Sequence, residues 1–244
     1  MTLPVFFAED VAGARVGETV VLEGDEGRHA ATVKRIRAGE RIVLTDGAGT
    51  SATGTVTAAA KASLDVVVEE VSFAERATPS VTVVQAIPKG ERGELAVEVL
   101  TEIDVDRIVP WAASRSVAIW RGDRVAKGLA KWRAAAREAA KQARRSWLPE
   151  VSDLMSTDEV VALLAEADLA VVLHEDAEIA LADLDLAGIG SLVVVVGPEG
   201  GISAEELDAF AQASVVRLGR SVLRTSTAGV AAVAALLSRT DRWR

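Results

Sequence analysis

Two stretches in the last fifth of the sequence combine glycine with polar side chains that can contact a ligand. An apolar run, residues 193–196, ends in the string GPEGG at residues 197–201, and a second string, LGRSVLRTSTA, covers residues 218–228. Glycine permits positive φ and close backbone approach, and proline stiffens a turn. Glu199 is the only charge between the apolar run and the next helix signal, and Arg224 opens a cluster of donors. Both stretches together predict a small-molecule site.

Two familiar nucleotide-binding patterns are absent from this sequence. No GxxxxGK[ST] string occurs, which excludes a Walker A loop. The nearest approach to GxGxxG is Gly188-Ile189-Gly190, which precedes a strand instead of following one and lacks the third glycine. GPEGG alone also fits an ordinary strand-to-helix turn, so the site hypothesis depends on the second glycine-containing stretch after the next strand.

The elements that must position these stretches alternate between strand and helix after Pro79. Continuous apolar runs, as at 170–173 and 192–196, are typical of parallel strands buried on both faces. Further strands are predicted at 81–86, 107–110 and 215–218. Helices are predicted at Gly93–Ile103, with Leu95, Val99 and Leu100 on one face, and at Asp123–Ser146. Capping boxes predict two more helices, after Ser156 and Ser203. This alternation indicates an α/β fold with a parallel sheet.

The first 72 residues have a different pattern. Short alternating strands are predicted at 19–22, 41–45, 53–57 and 64–68, and the Asp46-Gly47 pair indicates a hairpin. His29–Arg37 is predicted to form a short basic helix. We therefore expect a small β-barrel domain over residues 1–72, a linker near Phe73–Ser80, and an α/β domain over residues 78–244.

Composition narrows the possible functions. The 244 residues include no cysteine and two histidines, which excludes disulfides, thiolate zinc sites and an all-histidine metal site. No stretch approaches the roughly 20 apolar residues of a membrane span, and the first residues lack a basic, apolar leader. We expect a soluble, cytoplasmic protein that needs no metal.

The net charge of −9 conceals two basic regions. Residues 115–145 contain ten Lys or Arg side chains and two acidic ones, and residues 28–41 carry a local balance of +4. Such clusters are the electrostatic feature expected of a surface that binds the phosphate backbone of a nucleic acid. A solvated helix face would give the same count, so charge alone leaves both interpretations open.

The two site strings also resemble a known family. VVVVGPEGGISAEE and LGRSVLRTSTAGVAAVAAL are similar to the paired motifs of the SPOUT methyltransferases, and within them of the RsmE family, which methylates N3 of a uridine in small-subunit (16S) ribosomal RNA. The resemblance covers the whole chain, because RHAATVKRIRAGERIVLTDGAG, IPKGERGELAVEVLTEIDVDRIVPWAASRS and REAAKQARRSWLPEV match the family in the same order.

The resemblance implies a PUA-like, RNA-binding β-barrel followed by a SPOUT-type α/β domain whose C-terminal part forms a trefoil knot. It also implies a homodimer that acts on small-subunit ribosomal RNA or on the assembling 30S subunit. The methyl donor would be S-adenosyl-L-methionine (SAM), bound in the knot. The implied cofactor-binding residues are Leu173, His174, Gly197, Pro198, Glu199, Gly200, Gly201, Leu218, Gly219, Leu223, Arg224, Thr225, Ser226, Thr227 and Ala228.

The resemblance further implies roles in catalysis and RNA binding. Arg224 would stabilise the anion that develops on a uracil carbonyl, and Glu199 would accept a hydrogen bond or a proton; Glu199 as a cap of the following helix is the alternative. Ser226 replaces a glutamate common among relatives, and KQARRS replaces EQSGRN. The RNA-binding candidates are Arg28, His29, Lys34, Arg35, Arg37, Arg115, Arg137, Gln142 and Arg145.

Other functions compete with uridine-N3 methylation. A SPOUT-fold RNA-binding protein without catalysis is one, and SAM binding would distinguish it. A SPOUT enzyme that methylates transfer RNA or a ribose 2′-OH is another, and the position of the methyl group would decide. A metabolic enzyme is the least favoured, because neither basic region would then have a role.

Overall fold

The computed structural model describes residues 3–243, which form two compact units. The first unit contains the chain up to Arg76 together with Ala140–Leu148, and the second contains Ala77–Ala139 and the chain from Pro149 onward. The domain limits of 1–72 and 78–244 stay a prediction, but they assign residues 140–148 to the second domain. In the structure this segment belongs to the first unit, where Trp147 Nε1 donates to Ala74 O at 2.7 Å.

The first unit is built on one five-stranded sheet in the order β1-β3-β4-β5-β2. Its strands are β1 (Val5–Phe7), β2 (Thr19–Leu22), β3 (Arg41–Thr45), β4 (Thr50–Ala59) and β5 (Leu64–Phe73). All neighbours are antiparallel except β1 and β3. Alternate residues of β5, namely Leu64, Val66 and Val68, enter the core, as the period of two predicts. The predicted hairpin is confirmed, because Asp46 Oδ1 accepts the Ala48 and Thr50 amides at 2.7 and 3.0 Å.

The basic helix predicted at His29–Arg37 is shifted toward the N-terminus. Helix α1 (Gly24–Arg28) continues into a wider turn at His29–Val33, and Arg35 has a φ of +57°. A left-handed residue cannot continue a right-handed helix, so the helical backbone ends before Arg35. Three of the basic side chains, Lys34, Arg35 and Arg37, therefore follow the helix instead of lying on its face.

The second unit contains a sheet of seven parallel strands in the order β10-β12-β9-β11-β6-β7-β8. The strands are β6 (Ser80–Ala86), β7 (Arg107–Trp111), β8 (Glu150–Val151), β9 (Leu169–Leu173), β10 (Ile179–Ala180), β11 (Ser191–Val196) and β12 (Ser214–Arg217). The predicted parallel sheet is confirmed. The two-residue strands β8 and β10 were not predicted, because they are too short to show a period.

Helices cover both faces of this sheet. They are α2 (Arg92–Glu102), α3 (Asp123–Gln142), α4 (Thr157–Ala165), α5 (Ala204–Ala209) and α6 (Thr225–Leu237). Val194 of β11 enters one hydrophobic core with α2 and α6, while the adjacent Val195 enters the opposite core with α4. Both predicted capping boxes are confirmed, with Ser156 and Ser203 as the N-caps.

Two helix predictions were wrong in detail. On α2 the buried residues are Ala96, Val97 and Leu100, whereas Leu95 is 43% exposed, because Gly93 turns the opposite side of the helix toward Trp132. Helix α3 ends at Gln142 instead of Ser146. Arg144 has a φ of +57°, and the Arg145 amide donates to Ala140 O at 2.9 Å, which is the hydrogen bond of a Schellman C-cap.

The residues after α6 are bound to the segments that precede β6 and β7, at the amino ends of these strands. The Arg242 side chain is 1% exposed, and its guanidinium donates to Asp106 Oδ2 at 2.6 Å, to Asp104 Oδ2 at 2.8 Å and to Pro79 O at 2.6 Å. Burial opposes the charged form, but the hydrogen bonds that Arg242 donates to Asp106 and then to Asp104, with the negative charges of these carboxylates, outweigh burial and raise the pKa of Arg242. The trefoil knot stays a prediction, because the order of the strands in a sheet does not define whether the chain passes through one of its own loops.

Candidate active site at the carboxyl ends of three strands

A cavity of about 350 Å³ opens in the second unit where β9, β11 and β12 end. Open α/β sheets bind ligands outside the carboxyl ends of their strands, so its position agrees with its volume in indicating a ligand site. The lining segments are 173–175, 196–199, 201–202 and 217–225, with Arg92 and Ala228. The two glycine-containing strings of the sequence therefore meet at one cavity.

Most of the residues predicted from the resemblance line this cavity. They are Leu173, His174, Gly197, Pro198, Glu199, Gly201, Leu218, Gly219, Leu223, Arg224, Thr225 and Ala228. Gly200, Ser226 and Thr227 do not. A Cβ at Gly200 would lie 2.8 Å from Arg115 O, so that residue packs against the neighbouring loop. Ser226 is buried within the helix packing, and Thr227 Oγ1 donates to Arg224 O.

Glycine has a specific task at two positions of the lining. Gly201 has a φ of +74°, and its amide donates to Pro198 O at 2.9 Å, which closes the turn after β11. Gly219 has an ordinary φ, yet a Cβ built there would meet no protein atom within 4 Å. The space beside Gly219, a residue of the cavity lining, is thus left open by the fold.

Glu199 does not cap α5, so that alternative was wrong. The N-cap is Ser203, whose hydroxyl accepts the Glu206 amide, while Glu206 Oε2 accepts the Ser203 amide. Glu199 Oε1 instead accepts the Lys89 amide at 3.2 Å and lies 3.7 Å from Arg92 Nη1. The carboxylate therefore joins the loop after β11 to the loop after β6.

Arg92 is a cavity residue that sequence analysis missed. It is the first residue of α2 and lies far from both glycine-containing strings in the chain. Arg92 could have been assigned to the site only from the strand order, because β6 pairs directly with β11 and the loops that follow these two strands must be neighbours. It joins three other arginines of the lining, Arg217, Arg220 and Arg224.

Arg224 is the N-cap of α6, and its carbonyl accepts the Thr227 and Ala228 amides, each at 2.9 Å. The predicted turn at Thr225–Ala228 is therefore the first turn of this helix. The Arg224 side chain is exposed and forms no ion pair with any residue of the described range 3–243. It is available to a ligand.

His174 also lines the cavity. Its amide donates to Val216 O at 2.9 Å, which extends the β9–β12 pairing past the end of β9. Its Nδ1 accepts the Asp176 amide at 3.2 Å. An accepting Nδ1 belongs to the tautomer with the proton on Nε2, so the imidazole is a hydrogen-bond donor at its other nitrogen.

The loop beside Gly200 is fixed by carboxylates of α5. Glu206 Oε1 accepts the Ser114 amide at 2.7 Å. The pKa of Glu205 is lowered mainly because its carboxylate accepts a hydrogen bond from its own amide, and further because it accepts one from the Ser203 hydroxyl. Arg115, exposed in the same loop, adds a smaller electrostatic contribution in the same direction.

None of the predicted RNA-binding residues lines the cavity. In the first unit, Arg28, Lys34, Arg35, Arg37 and Gln142 are exposed, as is Arg115 in the second. The others are less accessible. Arg145 is 7% exposed, Arg137 is half-buried, and the half-buried His29 has its ring 6.3 Å from that of Phe6.

Residues 3–243 contain neither a metal-binding cluster nor a helix that could span a membrane. No group of three or more His, Asp or Glu side chains between residues 3 and 243 is arranged to hold a metal ion. Over the same range, no helix combines the length and the apolar character that crossing a lipid bilayer requires.

Two family models match the sequence. The model described as an RNA methyltransferase domain matches residues 75–237, and the model of the RNA methyltransferase PUA domain matches residues 22–69. A Ribosomal RNA small subunit methyltransferase E from Mycobacterium bovis is 47% identical over 233 residues, covering 93% of this chain and 89% of the relative.

Two solved structures resemble the whole chain. A methyltransferase of Legionella pneumophila, solved with the cofactor SAM, superposes with a TM-score of 0.88 at 26% identity and covers 98% of each chain. A Ribosomal RNA small subunit methyltransferase E from Neisseria gonorrhoeae, bound to S-adenosyl methionine, gives a TM-score of 0.87 at 28% identity and covers 97% of this chain and 98% of that one.

Proposed function

This chain belongs to the RsmE family of RNA methyltransferases, and on that premise we propose that it transfers a methyl group from SAM to N3 of a uridine in small-subunit ribosomal RNA. The observation that carries the proposal is the cavity at the ends of β9, β11 and β12, which gathers both glycine-containing strings with four arginines, among them Arg92 and Arg224, and with two glutamates, Glu175 and Glu199. Its lining contains the parts that a methyl transfer to a weakly acidic ring nitrogen requires.

The residues present fit SAM. A cavity of about 350 Å³ is within the usual size range for ligand sites. Leu173, Val196, Ile202, Leu218 and Leu223 give it apolar walls suited to a purine. Glycines open the wall where a side chain would project into the cavity, as at Gly219.

When bound, SAM would supply a methyl carbon on a sulfonium, which is already an excellent leaving group. We assign its binding to the cofactor set named from the resemblance. Gly200, Ser226 and Thr227 of that set support the loops instead of lining the cavity. Alignment of the nucleophile against this carbon is then the main task of the protein.

The remaining task is to help N3 of the uracil lose its proton. Negative charge then develops on the adjacent carbonyl oxygens, and a guanidinium at that position stabilises it. Arg224 is our candidate for this contact because its side chain has no competing ion pair within residues 3–243. Glu199, fixed by the Lys89 amide and Arg92, is our candidate for the group that accepts a hydrogen bond or the proton of the base.

We assign RNA binding to the PUA-like domain and to exposed basic residues of both units. Arg28, Lys34, Arg35, Arg37 and Arg115 are accessible to phosphates. Salt dependence of the affinity would identify such contacts. The buried Arg145 fits the packing of the first unit better than a phosphate contact.

Assembly and location complete the proposal. We propose a homodimer that forms through α6, in the cytoplasm, where ribosomal subunits are assembled. The half-exposed positions Ala231 and Ala234 of α6, with the exposed Thr227 and Ser238 on the same side, leave a face of small residues on which a second helix could pack closely.

Calorimetric titration with SAM tests the proposal. The wild-type protein should bind SAM saturably, and Glu199→Ala and Arg224→Ala should lower methyl transfer to small-subunit RNA much more than they lower SAM affinity. Mapping the methylated position then separates uridine N3 from ribose 2′-OH and transfer RNA from ribosomal RNA. A folded wild-type protein that binds RNA but never SAM, with or without RNA present, would instead be a non-catalytic RNA-binding protein.

A further inference from the structure

A second concavity, of about 240 Å³, lies between the start of α2 and the first half of α3 in the second unit. We call it the tryptophan pocket. Six side chains characterise it: Trp120, Trp132, Arg124, Lys127, Lys131 and Glu94. The proposed methyl transfer, as derived above, gives this pocket no role.

Helices α2 and α3 pack closely against the indole rings of this pocket. The Trp120 and Trp132 rings meet edge to face, with centroids 5.2 Å apart and planes at 74°. A Cβ at Gly128 would lie 2.5 Å from Trp120 Cε2, and a Cβ at Gly93 would lie 2.7 Å from Trp132 Nε1. Trp132 is buried, whereas Trp120 keeps part of its surface exposed in the pocket.

The open side of the pocket is positively charged. Arg124, Lys127 and Lys131 are spaced three and four residues apart, so α3 presents them on one face. Lys131 lies 3.8 Å from Glu94, the one acidic side chain of the lining. Arg124 and Lys127 are exposed and form no ion pair or side-chain hydrogen bond with residues 3–243. Two cations beside an indole are thus available to a ligand.

A third concavity shares lining residues with both the tryptophan pocket and the proposed methyl-transfer cavity. It is lined by Lys89, Gly90, Arg92, Val117 and Glu199. It shares Gly90 with the tryptophan pocket and shares Arg92 and Glu199 with the cavity. A chain molecule can therefore extend from one to the other along the protein surface.

We infer that the tryptophan pocket binds a nucleotide of the substrate RNA near the target uridine, with its base against Trp120 and its phosphate between Arg124 and Lys127. Single-stranded RNA offers this alternation of flat apolar bases and anionic phosphates. An acidic peptide would satisfy the cations but not the indole. The inference rests on the proposed function, because it assigns the pocket to the substrate of the same site.

The test uses the full-length protein and two readouts. The first is the affinity for a short fluorescent oligouridylate as a function of salt, and the second is kcat and KM for methylation of small-subunit RNA. The variants are Trp120→Leu, Trp120→Phe and the double variant Arg124→Gln/Lys127→Gln. Trp243→Leu and Arg239→Gln are matched controls at exposed positions of the second unit outside the pocket.

Trp120→Leu should weaken oligouridylate binding about tenfold and raise KM for RNA similarly, with kcat and SAM affinity preserved, and Trp120→Phe should restore most of the affinity. Trp120 also packs on Trp132, so if Trp120→Leu fails to fold, the double variant decides. The double variant should lower the salt slope of binding by about 0.7 for each phosphate that it no longer neutralises.

Three results would overturn the inference. In the first, the double variant has the same KM for RNA and the same salt slope of oligouridylate binding as the wild type. In the second, the control variants weaken oligouridylate binding as much as the pocket variants do. The third is competition by polyglutamate but not by RNA. If the wild-type protein methylates no ribosomal RNA, the proposed function fails instead, and the oligouridylate titrations still show whether the pocket binds RNA.

Discussion

Glu199 Oε1 lies 3.7 Å from Arg92 Nη1, and these two residues belong to loops that follow the adjacent parallel strands β11 and β6. The Arg92 side chain is 42% exposed and that of Glu199 26%, so solvent screening limits what the pair adds to the free energy of unfolding. Its main effect is geometric, because it fixes a carboxylate and a guanidinium at the mouth of the cavity.

Arg92→Ala should therefore reduce catalysis more than stability. We expect kcat for RNA methylation to fall about tenfold or more, because Glu199 is then fixed by the Lys89 amide alone, while the melting temperature stays near that of the wild type. Single-turnover kinetics and thermal melts measure the two quantities. In Lys89→Ala the amide that Glu199 accepts is retained, so kcat at saturating RNA should be preserved; a decrease equal to that of Arg92→Ala would contradict this role of the pair.

Arg224→Ala should lower kcat about a hundredfold, the usual effect of removing one donor from a developing anion. Arg224→Lys should recover part of the activity, since it keeps the charge without the planar fork. Calorimetry should show a smaller change in SAM affinity. Arg220→Ala removes another guanidinium from the same string and is the matched control. Equal kcat values for Arg220→Ala and Arg224→Ala would exclude a specific role for Arg224.

Gly219→Val should block the cofactor without harming the fold. Gly219 lines the cavity, and a Cβ there meets no protein atom within 4 Å apart from its chain neighbours, so the added side chain does not clash with the fold. We expect the Kd for SAM to rise about tenfold or more and the free energy of unfolding to change little. Gly13→Val is the control, because Gly13 also has open space around its Cβ but lies in the first unit. Unchanged SAM binding in Gly219→Val would place the ligand elsewhere.

Asp168 should contribute a pH-dependent part of the stability. The Ser191 hydroxyl, followed by the Gly190 amide, lowers its pKa below the ordinary 3.8. A depressed carboxyl pKa stabilises the folded state above pH 3.8, and this stabilisation is lost as the pH falls through the folded-state pKa. Urea melts should show Asp168→Asn less stable than the wild type at neutral pH, with the difference shrinking in acid.

The matched control for this prediction is Asp208→Asn, at an exposed position of α5. Asp208 accepts no side-chain hydrogen bond from residues 3–243, so this substitution should leave the acid part of the profile unchanged. A difference between Asp168→Asn and the wild type that stays constant from neutral to strongly acidic pH would show that the carboxylate charge is not its cause.

Ala231→Arg should separate the proposed homodimer into monomers. The new side chain would project from the half-exposed, small-residue face of α6, where close helix packing has no room for it. Sedimentation analysis gives the oligomeric state, and Ala130→Arg, at an exposed position of α3, is the control. A wild-type protein that sediments as a monomer would refute this part of the proposal.

Sequence patterns were sufficient for the elements that repeat a simple period. The buried strands of the second sheet appear as continuous apolar runs, and both capping boxes fix helix starts through side chains three residues apart. The two glycine-containing strings follow such strands directly, so much of the cavity could be located before the structure. Each of these features depends on residues that are close together in the chain, so the sequence alone was enough to predict it.

Features set by contacts between distant segments could not be found in this way. Arg92 reaches the cavity only because β6 lies next to β11. Leu95 was predicted to share a face of α2 with Leu100, but Leu100 is buried and packing of Gly93 against Trp132 turns Leu95 outward. Helix α3 stops where Arg144 adopts a left-handed conformation that glycine usually supplies, so no glycine indicated the end.

A ribosome that makes this chain adds β12 and α6 after every other element around the cavity. Strand β12 then pairs between β9 and β10, and the residues that precede α6 complete the lining. A nascent or truncated chain that stops before these elements has the carboxylate of Glu199 but no enclosure for a methyl donor. The ability to bind the donor therefore arises late in the protein's own synthesis, so unfinished chains remain inert toward it.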